Sequence, residues 1–171
     1  MGRDAARLRN ILLVDDDPHD VELTLAALAA QHLVNKIDVV GDGAEALDYL
    51  HRRGKHEMRP IGNPVFVLLD NKMPKVSGLD VLKEIRAYPG LRMIPVVALT
   101  SSRETSDLEA FYALGVNAYV VKPVDFSDFM TAITRLGCFW AIVNESPTGV
   151  AKAPTGGSTD GEPAAKIEAV A

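Results

Sequence analysis

Four short, uninterrupted apolar runs constrain this chain more than any other feature: Ile11–Val14, residues 65–69, residues 94–99 and Ala118–Val121. None alternates apolar with polar residues, so none can present one face to water. Runs of this length suit strands buried on both faces, as in a parallel sheet covered by helices. A fifth, weaker run, Ile37–Val40, is interrupted by Asp38. Pro95 stands near the start of its run, where a missing N–H is tolerated.

Segments of helical spacing separate the runs. From residue 18 to about 31, Val21, Leu25 and Leu28 share a face, behind Asp17 as N-cap and Pro18 at the first helical position. Residues 43–50 place Ala46, Leu47 and Leu50 together, and residues 79–87 do the same with Leu79, Leu82 and Ile85. Residues 104–114 form a fourth segment, closed by Gly115. The last begins at Phe126 behind Asp125 as cap and carries a stripe of Phe129, Met130, Ile133, Leu136 and Trp140. Five β-α repeats predict a doubly wound α/β fold. Two stretches depart from the pattern. Residues 52–64 form a basic connection with Arg52, Arg53, Lys55, His56 and Arg59, read as a solvated loop. Residues 146–171 are rich in Pro, Gly, Thr and Ala and cannot bury enough surface to offset ordering entropy, so a disordered tail is expected. This leaves residues 1–8 as an N-terminal extension and 9–145 as the folded domain.

Several function classes recede at once. A net charge of −5 argues against nucleic acid as the main partner. With Cys138 as the single cysteine, neither an internal disulfide nor a multi-cysteine metal site can form. The charged N-terminus precedes too short an apolar run for a secretory signal, and a membrane span needs roughly 20 apolar residues. A cytoplasmic protein without membrane association is expected.

The chemistry collects where the strands end. The first run ends in Asp15-Asp16-Asp17, the run 65–69 in Asp70, the run 94–99 in Thr100-Ser101 and the last in Lys122-Pro123. Open parallel sheets bind ligands outside the carboxyl ends of their strands, so these residues should converge although they are far apart in sequence. Three carboxylates held close together repel one another unless a cation neutralises them, and oxygen donors without His or Cys favour Mg²⁺ or Mn²⁺. Lys122 adds a fixed positive charge and Thr100 a hydroxyl. Cation, ammonium and hydroxyl are the parts that stabilise a transferring phosphoryl group, and a carboxylate is its natural acceptor. Singly, each residue has a plainer role: Asp17 as a helix cap, Asp70 in an ordinary loop, Lys122-Pro123 as a surface turn.

As an ordered set, Val14-Asp15-Asp16-Asp17-Pro18, Leu69-Asp70-Asn71-Lys72-Met73-Pro74, Ser77-Gly78, Leu99-Thr100-Ser101 and Val121-Lys122-Pro123 resemble the receiver domain of two-component response regulators over about residues 9–143. The resemblance implies a flavodoxin-like (βα)5 fold with strand order 2-1-3-4-5. It implies Asp70 as phosphoacceptor, with Asp15, Asp16, Asp70 and the Lys72 backbone carbonyl as ligands of the cation. Thr100, with Ser101 beside it, corresponds to the phosphate-binding switch, Lys122 to the lysine that pairs with phosphate, and Tyr119 to a switch aromatic. It also implies a cis peptide before Pro123. Lys72 and Ser102 occupy the two loosely specified positions that tune phosphate lifetime.

No DNA-binding or catalytic domain follows residue 143 in this sequence, so a stand-alone receiver signalling by protein contact is expected. The connection with His51-Arg52-Arg53-Gly54 and the helix end Cys138-Phe139-Trp140 resemble the small response regulators paired with bacterial phytochrome kinases. That subgroup implies a sensor histidine kinase as donor, a downstream protein or phosphotransfer protein as recipient, and a homodimer to which Phe139 and Trp140 contribute. Alternatives are a relay intermediate, a phosphate sink, a receiver-like scaffold that never accepts phosphate, or a phosphatase with an aspartyl-phosphate intermediate. The phosphatase fits poorly, because its Asp-x-Asp-x-Thr motif on the first strand is replaced here by Asp15-Asp16-Asp17-Pro18-His19.

Overall fold

The apolar runs become five parallel strands: β1 (Ile11–Val14), β2 (Ile37–Val40), β3 (Val67–Leu69), β4 (Val96–Thr100) and β5 (Ala118–Val121). They pair in the order β2-β1-β3-β4-β5, as expected. The computed structural model describes residues 9–30 and 35–143; the extension 1–8 and the tail 146–171 lie outside them. Between the strands run α1 (Pro18–Ala29), α2 (Gly43–His51), α3 (Gly78–Ala87) and α4 (Thr105–Ala113), with α5 (Phe126–Cys138) at the end. Among the described residues no helix is long and apolar enough to cross a membrane.

Every residue of β1, β3 and β4 is buried, because successive side chains enter two different cores. Leu12, Val14, Val67, Leu69, Val96 and Ala98 pack against α2, α3 and α4 through Ala46, Leu50, Leu82, Ile85 and Phe111. Ile11, Leu13, Leu68, Val97 and Leu99 pack against α1 and α5 through Ala27, Leu28, Phe129 and Ile133. Strands β2 and β5 lie at the edges and are only partly buried, which explains the weaker run at Asp38.

The expected caps are in place. The Asp17 side chain accepts from the His19 and Asp20 amides, and that of Asp125 from the Ser127 and Asp128 amides. Gly115 takes φ of 77° and closes α4: its amide donates to Tyr112 O, and that of Val116 to Phe111 O. Helix boundaries differ from expectation by one or two residues, where the i→i−4 bonds run out.

Three features differ from the reading of the sequence. The basic connection is not simply solvated. Arg59 lies 4.5 Å over the Tyr49 ring and donates to the carbonyls of Tyr49, Leu50, Pro60 and Gly62, capping the end of α2. The Lys122–Pro123 peptide is trans, not cis: no described peptide is cis. Trans is favoured intrinsically by about 0.5–1 kcal/mol before proline, and Lys122 reaches its partners from that geometry. Finally, the stripe of α5 does not continue as an α-helix. A π-helical turn over Phe139–Val143 sets Trp140 against the core, while Phe139, edge-on to it, is 49% exposed.

Candidate functional site

The strand register assembles the site. Val14 pairs with Leu69, so Asp15 and Asp70 leave neighbouring strands at the same level. The ladder continues one residue beyond the strands: the Asp15 amide donates to Val40 O, that of Asp70 to Val14 O and that of Lys122 to Thr100 O. Each functional side chain is therefore held by backbone hydrogen bonds at its own position. Gly78 tightens the same corner. Its amide donates to Asn71 O, and a Cβ there would stand 2.1 Å from Asp70 O.

Lys122 is the centre of the cluster. Its buried ammonium lies 2.8 Å from Asp15, 2.7 Å from Asp20 and 3.5 Å from Asp70. Burial pulls its proton affinity down, but the hydrogen bonds to Asp15 and Asp20 and the charge of Asp70 outweigh this and hold it above an ordinary lysine. Asp15 and Asp70 are also buried. Burial pushes the Asp70 carboxyl up to about 6; Lys122 opposes that shift and Asp15 adds to it. Burial raises Asp15 as well, against its bonds to Lys122 and the Asp17 amide.

Asp16 is exposed beside them, and Asp15, Asp16 and Asp70 each offer an oxygen within 4.8 Å of the others. Three carboxylates, Asp15, Asp20 and Asp70, thus face one ammonium, and Asp16 adds a fourth beside them. An all-oxygen donor set short of positive charge fits a hard divalent cation such as Mg²⁺ or Mn²⁺.

Thr100 is fully buried, and its Oγ1 accepts from the Ser102 amide at 3.2 Å; Ser101 beside it is exposed. Tyr119 is partly buried, packs edge-on to Phe111 and donates through its hydroxyl to Ser102 O at 3.3 Å. The exposed Lys72 ammonium is 4.0 Å from Glu104, turned toward the β4–α4 connection. Phe139 and Trp140 lie elsewhere, in a groove of α5 and β5 that includes Ala118, Val120 and Leu136.

The reading of the sequence missed two acidic residues. Asp20 holds Lys122 from the first turn of α1, and Asp107 on α4 accepts from Asn71 and Ser102. Their only sequence signal is a carboxylate in a first helical turn that faces the carboxyl edge of the sheet.

Comparison with known proteins agrees with this geometry. Residues 11–134 match the response regulator receiver domain family. The response regulator Rcp1 of Synechocystis sp. is 35% identical over 130 residues, covering 76% of this chain and 87% of the relative. Its Mn²⁺-bound crystal form has a TM-score of 0.77 at 34% identity, over 82% of this chain and 99% of that one. The bacteriophytochrome response regulator RtBRR is 57% identical with a TM-score of 0.67, over 85% of this chain and 88% of its own.

Proposed function

The chain belongs to the response regulator receiver domain family, and on that premise we propose that it is a phosphorylation switch whose acceptor is the Asp70 carboxylate. The observation that carries this reading is Lys122, which gathers Asp15 and Asp70 within 3.5 Å of its ammonium at the carboxyl edge of the sheet. The donor is a phosphohistidine of a sensor histidine kinase. Its N–P bond breaks, the electron pair stays on the imidazole nitrogen, and an Asp70 oxygen forms the new O–P bond. A divalent cation, Mg²⁺ or Mn²⁺, held by Asp15, Asp16, Asp70 and the Lys72 carbonyl, would supply charge opposite the phosphoryl oxygens. Lys122 contributes the second positive charge. The Thr100 hydroxyl, with Ser101 next to it, turns to donate to a phosphate oxygen, and Tyr119 transmits that movement to α4.

The test is acetyl phosphate with Mg²⁺, followed by intact mass. One labile phosphoryl adduct is expected, lost in Asp70→Asn. Adduct retained in that variant would move the acceptor elsewhere, and rapid turnover of a generic phosphomonoester would favour a phosphatase.

The partner reading follows the relatives. The 57% identity to RtBRR supports a bacteriophytochrome kinase as donor, checked by phosphotransfer from such a kinase against an unrelated one. Half-exposed Phe139 beside the partly buried β5 edge supports a homodimer built on α5 and β5. Light scattering of wild type and Trp140→Ala, with and without beryllofluoride, tests it; identical masses in every case would exclude the aromatic contact. Output then passes to a downstream protein or phosphotransfer protein, within the cytoplasm and without nucleic acid or membrane.

A further inference from the structure

The β4–α4 connection is gripped by a side chain that lies outside the phosphorylation set. One oxygen of Asp107, on the first turn of α4, accepts from Ser102 Oγ at 2.6 Å and from Asn71 Nδ2 at 3.2 Å. Both donors are buried. Asn71 directly follows the acceptor, so one carboxylate ties the end of β3 to the end of β4 across the mouth of the pocket.

Ser102 is the hub of this strap. Its amide donates to Thr100 Oγ1, its hydroxyl accepts from the Glu104 amide at 3.4 Å, and its carbonyl accepts from the Tyr119 hydroxyl. Turning the Thr100 hydroxyl toward Asp70 strands the Ser102 amide unless Ser102 moves too, and an unpaired buried amide is costly. Ser102 in turn cannot move without breaking its short, charge-assisted bond to Asp107.

We propose that Asp107 is a positioning residue that straps Ser102 and Asn71 in the unphosphorylated arrangement and so limits how fast Asp70 takes up phosphate. This rests on Asp70 being the acceptor. In Asp107→Ala the connection is released, and Thr100 reaches the phosphoryl group without that bond having to break.

The test uses the full chain with acetyl phosphate and Mg²⁺ for uptake, and amide hydrogen exchange at residues 102–104 without any donor. Asp107→Ala should take up phosphate faster by on the order of tenfold, the scale of one hydrogen bond to a charged group, and exchange faster at Ser102 and Glu104. Asp107→Asn, whose amide oxygen still accepts from Ser102, should show a smaller change in the same direction. Ser102→Ala should resemble Asp107→Ala, and the double variant should add little to either. Uptake that is unchanged or slower in a folded Asp107→Ala, or full additivity in the double variant, overturns the strap. If Asp107→Ala does not fold, Asp107→Asn and Ser102→Ala decide the matter. If wild type takes up no phosphate, the acceptor reading fails, while the exchange measurement still decides the strap.

Discussion

The Asp20 carboxylate lies 2.7 Å from the Lys122 ammonium, closer than the 3.5 Å that separates the lysine from Asp70. In this arrangement the lysine is shared between α1 and the pocket floor. Asp20→Asn leaves Lys122 with Asp15 and Asp70, and should cost no more than about 1 kcal/mol. Lys122→Met is different in kind, because two buried carboxylates lose their only ammonium; about 3 kcal/mol or more is expected without a cation. Saturating Mg²⁺ should recover much of the second loss and little of the first. Urea unfolding of both variants, with Mg²⁺ and with chelator, measures the contrast.

Asp70 gives the protein a pH dependence. Its folded pKa of about 6 lies above the ordinary 3.8, so between those values the folded state holds the proton more tightly than the unfolded chain. Its favourable contribution is complete below the ordinary value and is lost as pH rises through about 6. At pH 8 without cation, Asp70→Asn should therefore stabilise the fold, by at most about 3 kcal/mol. The gain should shrink toward pH 5, as thermal melts across the range will register. A bound cation opposes that protonation, so phosphate uptake by wild type should weaken below about pH 6 at limiting Mg²⁺ and recover as Mg²⁺ is raised.

Three glycines separate packing from propensity. A Cβ at Gly78 would stand 2.1 Å from Asp70 O, and one at Gly43 2.2 Å from Val76 O, while one at Gly41 meets nothing within 4 Å. The first two clashes are with backbone, which no rotamer can relieve. Gly78→Ala and Gly43→Ala should each cost about 2–3 kcal/mol, and Gly41→Ala should be close to neutral. Gly78→Ala should also depress phosphate uptake, because the displaced atom belongs to Asp70. Denaturation midpoints and adduct yields report both effects.

Arg59 supplies a test far from the pocket. Its guanidinium satisfies four carbonyls and stacks on Tyr49. Lysine cannot reproduce that fork. Arg59→Lys should therefore lose nearly as much as Arg59→Ala, about 1–3 kcal/mol by melting, with phosphate uptake retained.

The same residues show where the sequence could be read and where it could not. Asp15, Asp70, Thr100 and Lys122 were legible because unbroken apolar runs locate strand ends, and parallel register does the rest. Asp20 and Asp107 were not, since an acidic residue in a first helical turn is already accounted for by the helix dipole. Their partners depend on how α1 and α4 sit on the sheet. Arg59 was hidden for a related reason: a basic loop reads as solvated until the carbonyls of a helix end are found beneath it. The cis peptide before Pro123 came from family likeness alone, and the trans peptide found corrects it. Phe139 and Trp140 touch edge-on yet differ in burial, because adjacent residues of a helical turn point to different sides, and the π-helical turn that sets those sides carries no sequence signal.

Trp140 is the only tryptophan of the chain, and it lines the groove between α5 and β5. That groove sits at the C-terminal end of α5, whereas the carboxylates gather at the opposite edge of the sheet, where α5 begins. The single indole fluorophore thus sits at the α5–β5 surface proposed above for a second copy. On that proposal its emission would report association directly and phosphate only through the intervening fold, so one optical signal would time the two proposed events against each other.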